Sequence, residues 1–303
     1  MPPFKEKKPG TAPAGEHTRS LLSDEQDWVN MLMYGNPGSG KTTALAHLAR
    51  LGPIVFINAE AGLKRVALEK FDIPLENIEV FPARGQTLSF ESLDGLFWEI
   101  KGKLDDNPGA YTGIIWDSIT EIHKMLLEAV TKKEVDKAHR KAERAGIESD
   151  VDPFFIDRSY YGVMTEQMRQ LIRKYRDLDC HVGFSALPRR DLNEKTGDIS
   201  YGPALTPALQ TDLAGFVDIL CHTEIDDELD AYVGRFREVG IKMAKDRFGV
   251  LPPVLIDPTY SRIIDYVNGK IKEEDDPLQE PIRRKRAVRR SGKQATQSSD
   301  DED

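Results

Sequence analysis

Cysteine is scarce in this chain, with only Cys180 and Cys221 among 303 residues. Two thiols so far apart, without CxxC spacing, exclude a disulfide framework and leave no thiolate metal site. Both sit in apolar runs, the usual setting of buried thiols. The six histidines show no metal-ligand spacing. No apolar run approaches the roughly 18 residues of a membrane-spanning helix. The first ten residues, Met-Pro-Pro-Phe-Lys-Glu-Lys-Lys-Pro-Gly, carry basic groups but no apolar stretch of the kind a secretory signal needs. A reducing cytoplasm is the expected compartment, with no membrane partner. Positive charge is also in deficit: 42 Lys and Arg face 51 Asp and Glu, for a net charge of −9. That excludes a wholesale basic nucleic-acid binder while leaving room for a local basic patch.

Against these absences stands one dense motif. Residues 35 to 42 read Gly-Asn-Pro-Gly-Ser-Gly-Lys-Thr, the G-x-x-x-x-G-K-[ST] pattern of a phosphate-binding loop. Gly35, Gly38 and Gly40 allow a tight turn in which successive amides, including those of Asn36, Pro37's neighbours and Ser39, line one concavity. Lys41 brings a positive charge to the β- and γ-phosphates, and Thr42 offers a hydroxyl to Mg²⁺. Thr43 opens the helical run Thr43 to Leu51, whose positive end points at the same phosphates. The apolar run from Trp28 to Tyr34 supplies the strand that must precede such a loop.

The length suits one sizeable α/β domain with tails. Residues 1–22 are rich in Pro, Gly, Lys and Thr and are expected to form a disordered arm. The nucleotide-binding α/β domain is expected over 23–269, and a disordered charged tail over 270–303. Within that tail, residues 283–290 hold six basic groups in eight and the last residues are acidic. Two readings of it stand, a nucleic-acid contact and a solvated segment that partly neutralises itself. Between the tails, strands and helices alternate. Strands are expected at 53–58, 78–81, 113–117, 180–186, 216–222, 232–244 and 260–266. Helices are expected at 61–70 and 89–104, followed by a helical insertion over about 118–178. A polar loop is expected up to about residue 205. The alternation predicts a mostly parallel central sheet flanked by helices, with antiparallel strands toward the C-terminus.

Two carboxylates fall where nucleotide chemistry needs them. Asp117 ends an apolar strand, where it can hold Mg²⁺ beside Thr42; the bland alternative is an ordinary strand-end Asp. Glu60 ends the strand after the phosphate loop and its helix, on the ligand side of a parallel sheet. There it can orient or deprotonate an attacking water; the alternative is an acid favoured by a helix N-terminus.

Together Gly35–Thr42, Ala59-Glu60 and Ile115-Trp116-Asp117-Ser118 resemble the RecA family of ATPases. The resemblance implies a RecA-like fold, Mg-dependent ATP hydrolysis and Glu60 as catalytic glutamate. Lys245-Asp246-Arg247-Phe248-Gly249 is similar to the Lys-Asn-Arg-Phe-Gly motif of the RadA branch, with Asp in place of Asn. It implies that Lys245 and Arg247 act on the nucleotide, within the chain or on a neighbouring subunit; a surface turn is the alternative. Ser185 occupies the place of the family's γ-phosphate sensor. The loop that follows, with Arg189, Arg190 and Lys195, takes the place of a DNA-binding loop. The whole is most similar to phage-encoded RecA-like ATPases of single-strand annealing and recombination. The partners so implied are single-stranded DNA, further copies of the chain in a ring or filament, and a single-strand DNA-binding protein.

Two rival readings share the phosphate loop. A small-molecule kinase would need an arginine-rich lid, for which Arg158, Arg169 and Arg173 are the candidates. A non-catalytic, ATP-gated interaction module would need no catalytic glutamate at all.

Overall fold

The structure, a computed structural model, describes residues 28–148, 152, 156–192, 197, 199–238 and 240–285. Nine strands form one sheet in the order β11-β9-β8-β1-β5-β4-β2-β3, with β10 pairing to β8 beside β9. The members are β1 (Asn30–Tyr34), β2 (Ile54–Asn58), β3 (Ile78–Phe81), β4 (Gly113–Asp117), β5 (His181–Ala186), β8 (Ile219–Asp226), β9 (Ala231–Arg235), β10 (Lys245–Asp246) and β11 (Val254–Ile256). The six strands β8, β1, β5, β4, β2 and β3 run parallel, and β9, β10 and β11 join antiparallel. This is the expected mixed α/β architecture, with its antiparallel strands at the C-terminal side.

β1 is buried at every position, as a central strand covered on both faces must be. Successive side chains alternate between the faces. Leu32, Val55, Ile57, Ile114, Trp116, Val182 and Phe184 join one core. That core is closed by α3 (Phe90–Asp106), α4 (Ile119–Arg144), α5 (Arg158–Arg176) and α6 (Pro207–Phe216). Met31, Met33, Ile54, Phe56, Ile115 and Cys221 join the other. It is closed by α1 (Lys41–Ala46), α2 (Arg65–Lys70) and α7 (Tyr260–Val267). The helices expected over 118–178 are the two-helix crossover from β4 to β5; Met164, Met168, Leu171 and Ile172 of α5 pack into the first core. Cys180 and Cys221 are free, buried thiols.

Four expectations of local structure are corrected. Residues 260–266 form α7, not a strand: Tyr260, Ile263 and Ile264 are buried together, which is helical spacing. The polar loop is a two-stranded hairpin, β6 (Pro188–Leu192) with β7 (Ile199–Pro203). Its strands stand outside the main sheet and therefore lack an apolar face. The strand expected at 232–244 ends early: β9 stops at Arg235, and β10 begins only at Lys245, the two pairing with different parts of β8. Finally, 270–285 packs onto the domain instead of beginning the tail. Asp276 is buried and accepts from Tyr266 Oη at 2.5 Å and from Arg262. Composition cannot show this, because a buried ion pair uses the same residue types as a solvated tail. The arm at 1–22 and the tail beyond 285 lie outside the described residues.

Candidate functional site

A cleft of about 500 Å³ opens at the C-terminal ends of the parallel strands, lined by Pro37, Gly38, Gly40, Lys41, Thr42, Thr43, Glu60, Asp117, Glu121, Leu187 and Tyr232. That end is where an open α/β sheet presents its loops to a ligand. The phosphate loop leaves β1 and enters α1. Gly35 sits so close to β8 that a Cβ there would lie 2.2 Å from the Thr223 carbonyl oxygen. Gly40 has φ +81°, a left-handed conformation only glycine adopts freely. Ser39 Oγ and Thr223 Oγ1 are 2.9 Å apart and fix the loop to β8.

Lys41 Nζ donates to the Gly35 and Asn36 carbonyls at 2.8 and 2.9 Å, folding back over the loop. Burial lowers its pKa from the ordinary lysine range, while Asp117 and Glu60 support its charge. It is therefore a partly desolvated cation held at the mouth of an amide cradle, poised for an anion.

Asp117, at the end of β4, is only 2% exposed. It accepts from Thr42 Oγ1 at 2.8 Å and from Ser185 Oγ. Burial raises its pKa; the two hydroxyl donors and Lys41 oppose that shift, and Glu60 adds to it. A buried carboxylate touching a hydroxyl, beside an amide cradle, is the hard-oxygen donor set that suits Mg²⁺ shared with phosphates and water. Among the described residues no three His, Cys, Asp or Glu side chains gather as an all-protein metal site.

Glu60 follows β2 and is exposed on the cleft wall. Its backbone N–H donates to the Asp117 carbonyl at 3.3 Å, and Ala59 N–H does so at 2.8 Å. Ser118 Oγ donates to Glu60 Oε1. Two adjacent strand ends thus hold two carboxylates in one wall. Ser185 is fully buried at the end of β5 and reaches the site through Asp117 instead of lining the cleft.

The structure does not bring Lys245 and Arg247 to this cleft. They lie at the opposite end of the sheet, where β10 pairs with Ile219 and Leu220 at the start of β8. β1 alone separates the two ends by roughly 15 Å. Lys245 Nζ donates to the Ala214 and Val217 carbonyls at 2.9 and 2.8 Å, capping α6. Burial and the neighbouring Arg247 lower the Lys245 pKa. Arg247 pairs with Asp218 and donates to the Gly215 carbonyl at 3.0 Å. Asp218 also accepts from the Asn30 N–H at 2.8 Å. The short Lys-Asp-Arg run is here a helix-end clamp.

Arg189 and Arg190 both lie on β6 and are exposed. Arg189 is engaged by Asp191 at 2.6 Å and by the Leu205 carbonyl at 3.1 Å. Arg190 faces Tyr201 across the hairpin. Lys195 lies outside the described residues. The hairpin is tied to the phosphate-loop strand through Tyr34, whose hydroxyl donates to the Tyr201 and Met243 carbonyls at 3.1 and 2.6 Å.

Three lining residues escape the sequence reading. Glu121 had a signal: it follows Ser118 by three in a helix-start pattern, and Ser118 does cap α4 by accepting from the Glu121 N–H at 3.2 Å. Leu187 and Tyr232 had none, because strand order alone brings them to the cleft.

Residues 28–248 match a family described as an AAA domain. A crystal structure titled RadB recombinase is similar at 16% identity, with a TM-score of 0.41, over 70% of this chain and 84% of that one. No curated protein matches the sequence. With the match running from the first described strand past β10, the chain belongs to the AAA domain family.

Proposed function

We propose that the protein is a RecA-like P-loop ATPase, Mg-dependent, that acts on single-stranded DNA in phage-type recombination, annealing or replication. The observation that carries this reading is the meeting of Lys41, Thr42, Asp117 and Glu60 in one cleft. The loop amides and Lys41 bind the phosphate chain, Lys41 exchanging its carbonyl contacts for phosphate oxygens. Thr42 and Asp117 are the residues that would hold Mg²⁺, which when bound neutralises charge on the phosphates. Glu60 orients a water against the terminal phosphate and takes its proton. Ser118 holds the Glu60 carboxylate in place for that task.

The kinase reading loses its lid. Arg169 pairs with Asp212 and Glu166, Arg173 lies over the Phe216 ring, and neither they nor Arg158 line the cleft. DNA contact is assigned to the β6–β7 hairpin, which directly follows Leu187 on the cleft rim and exposes Arg190. Assembly in a ring or filament is the setting in which Lys245 and Arg247 would act on a neighbour's nucleotide, in addition to clamping α6. A single-strand DNA-binding protein and the host cytoplasm complete the proposed context.

The test is ATP turnover with no DNA, duplex and single strands at low salt. The reading expects stimulation by single strands and loss of turnover in Lys41→Ala. Identical rates in all three conditions, with no DNA binding, would remove DNA from it. Turnover unchanged in Lys41→Ala would remove the cleft.

A further inference from the structure

The phosphate end of the cleft has a direction, and it leaves the other end to be explained. Glu60, Asp117 and Leu187 stand at the C-terminal ends of β2, β4 and β5, which all lie on one side of β1 in the sheet. A triphosphate whose terminal group faces those carboxylates has the other side of β1 left for its nucleoside end. On that side the lining residue is Tyr232 of β9, two strands away across β8.

We propose that Tyr232 is the platform on which the nucleobase of a bound nucleoside triphosphate stacks. The inference rests on the cleft being a nucleotide site. The ring is built against the phosphate loop: a Cβ placed on Gly40 would lie 3.1 Å from Tyr232 Cδ1 and 3.4 Å from Cε1. Gly40 thus does two things, adopting a left-handed turn and leaving room for the ring. The Tyr232 backbone is held from both sides, by the β8 ladder and by the Asp257 N–H, which donates to its carbonyl at 2.9 Å. The residue is nonetheless 45% exposed. Ile225 pairs with Tyr232 across the ladder and is 52% exposed. Directly paired residues share a face of the sheet, so a flat aromatic and an aliphatic side chain form an uncovered apolar step at the cleft rim. A base stacks on such a surface through its π-face without reading sequence-specific edges. Every base has that face, so Tyr232 contributes affinity for the nucleoside and little choice among bases.

The experiment measures equilibrium binding of ATP and of inorganic tripolyphosphate, each with Mg²⁺, to the full chain and to Tyr232→Phe, Tyr232→Leu and Tyr232→Ala. Leucine keeps apolar bulk against Gly40, so that variant serves if alanine disturbs the loop. The proposal expects Tyr232→Phe to bind ATP as the parent does. It expects Tyr232→Leu and Tyr232→Ala to bind ATP roughly tenfold more weakly, with tripolyphosphate unchanged in all. ATP affinity unchanged in both Leu and Ala variants would overturn it. Equal losses for ATP and tripolyphosphate would also overturn it, since Tyr232 would then only prop the loop. A parent chain that binds neither ligand would remove the nucleotide reading itself, a result distinct from both.

Discussion

Asp117 sits under opposing pressures. Burial disfavours its charge, and the Ser185 and Thr42 hydroxyls recover only part of that cost. Its folded pKa is raised, so the stability it contributes is complete below the ordinary carboxylate pKa. That stability is lost as pH rises through the raised folded value. Asp117→Asn should therefore melt higher than the parent near neutral pH when no ligand is present. The gap should close as pH falls toward the ordinary carboxylate range, and unfolding curves across pH check it. The same variant should lose Mg-dependent turnover, a trade of stability for function at a site. Gly35 is constrained differently. Gly35→Ala drives a Cβ into the Thr223 carbonyl, a backbone atom that cannot swing aside. It should cost about 1–3 kcal/mol in denaturant unfolding and weaken ATP binding with it.

At the scale of elements, the clamp at the end of α6 and the hairpin make separate predictions. Arg247→Ala removes the ion-pair partner of Asp218, which is 10% exposed and would keep the Asn30 N–H. The expected loss is about 1–3 kcal/mol of stability, read by chemical denaturation. In the hairpin, Arg190→Glu should weaken single-strand binding and flatten its salt dependence, because it exchanges a cation for an anion facing phosphate. ATP binding should stay as it was, and titration at several salt concentrations reads both. These elements also mark where the sequence was legible. β1, β4 and β5 are continuous apolar runs, and α3 and α5 carry apolar residues at helical spacing, so their type and rough place could be read directly. Gly35 to Thr42, Glu60 and Asp117 could be read because fixed chemistry demands fixed residues at strand ends. α7 could not, since Tyr260, Ile263, Ile264 and Tyr266 are as β-prone as they are amphipathic. The hairpin could not, because its exposed strands show no alternation. Lys245 and Arg247 could be found as a motif, but their position depends on β10 pairing with the start of β8, which is a matter of topology.

Across the described residues, one mixed sheet gathers the phosphate loop, the two carboxylates and Tyr232 at one end, and the α6 clamp at the other. The net charge of −9 keeps any DNA contact local, so the salt slope of binding should be that of a few phosphates only. If Arg247 also acts on a neighbouring protomer, mixing Glu60-defective with Arg247-defective chains restores part of the turnover; no rescue at any ratio limits Arg247 to the clamp. The central claim is that the cleft hydrolyses ATP with Glu60 as its base. Its most direct test measures ATP binding and ATP turnover side by side in the parent and in Glu60→Gln. The account predicts binding within a few-fold of the parent and turnover lower by about a hundredfold or more. Turnover in Glu60→Gln equal to the parent's, with binding intact, would contradict it.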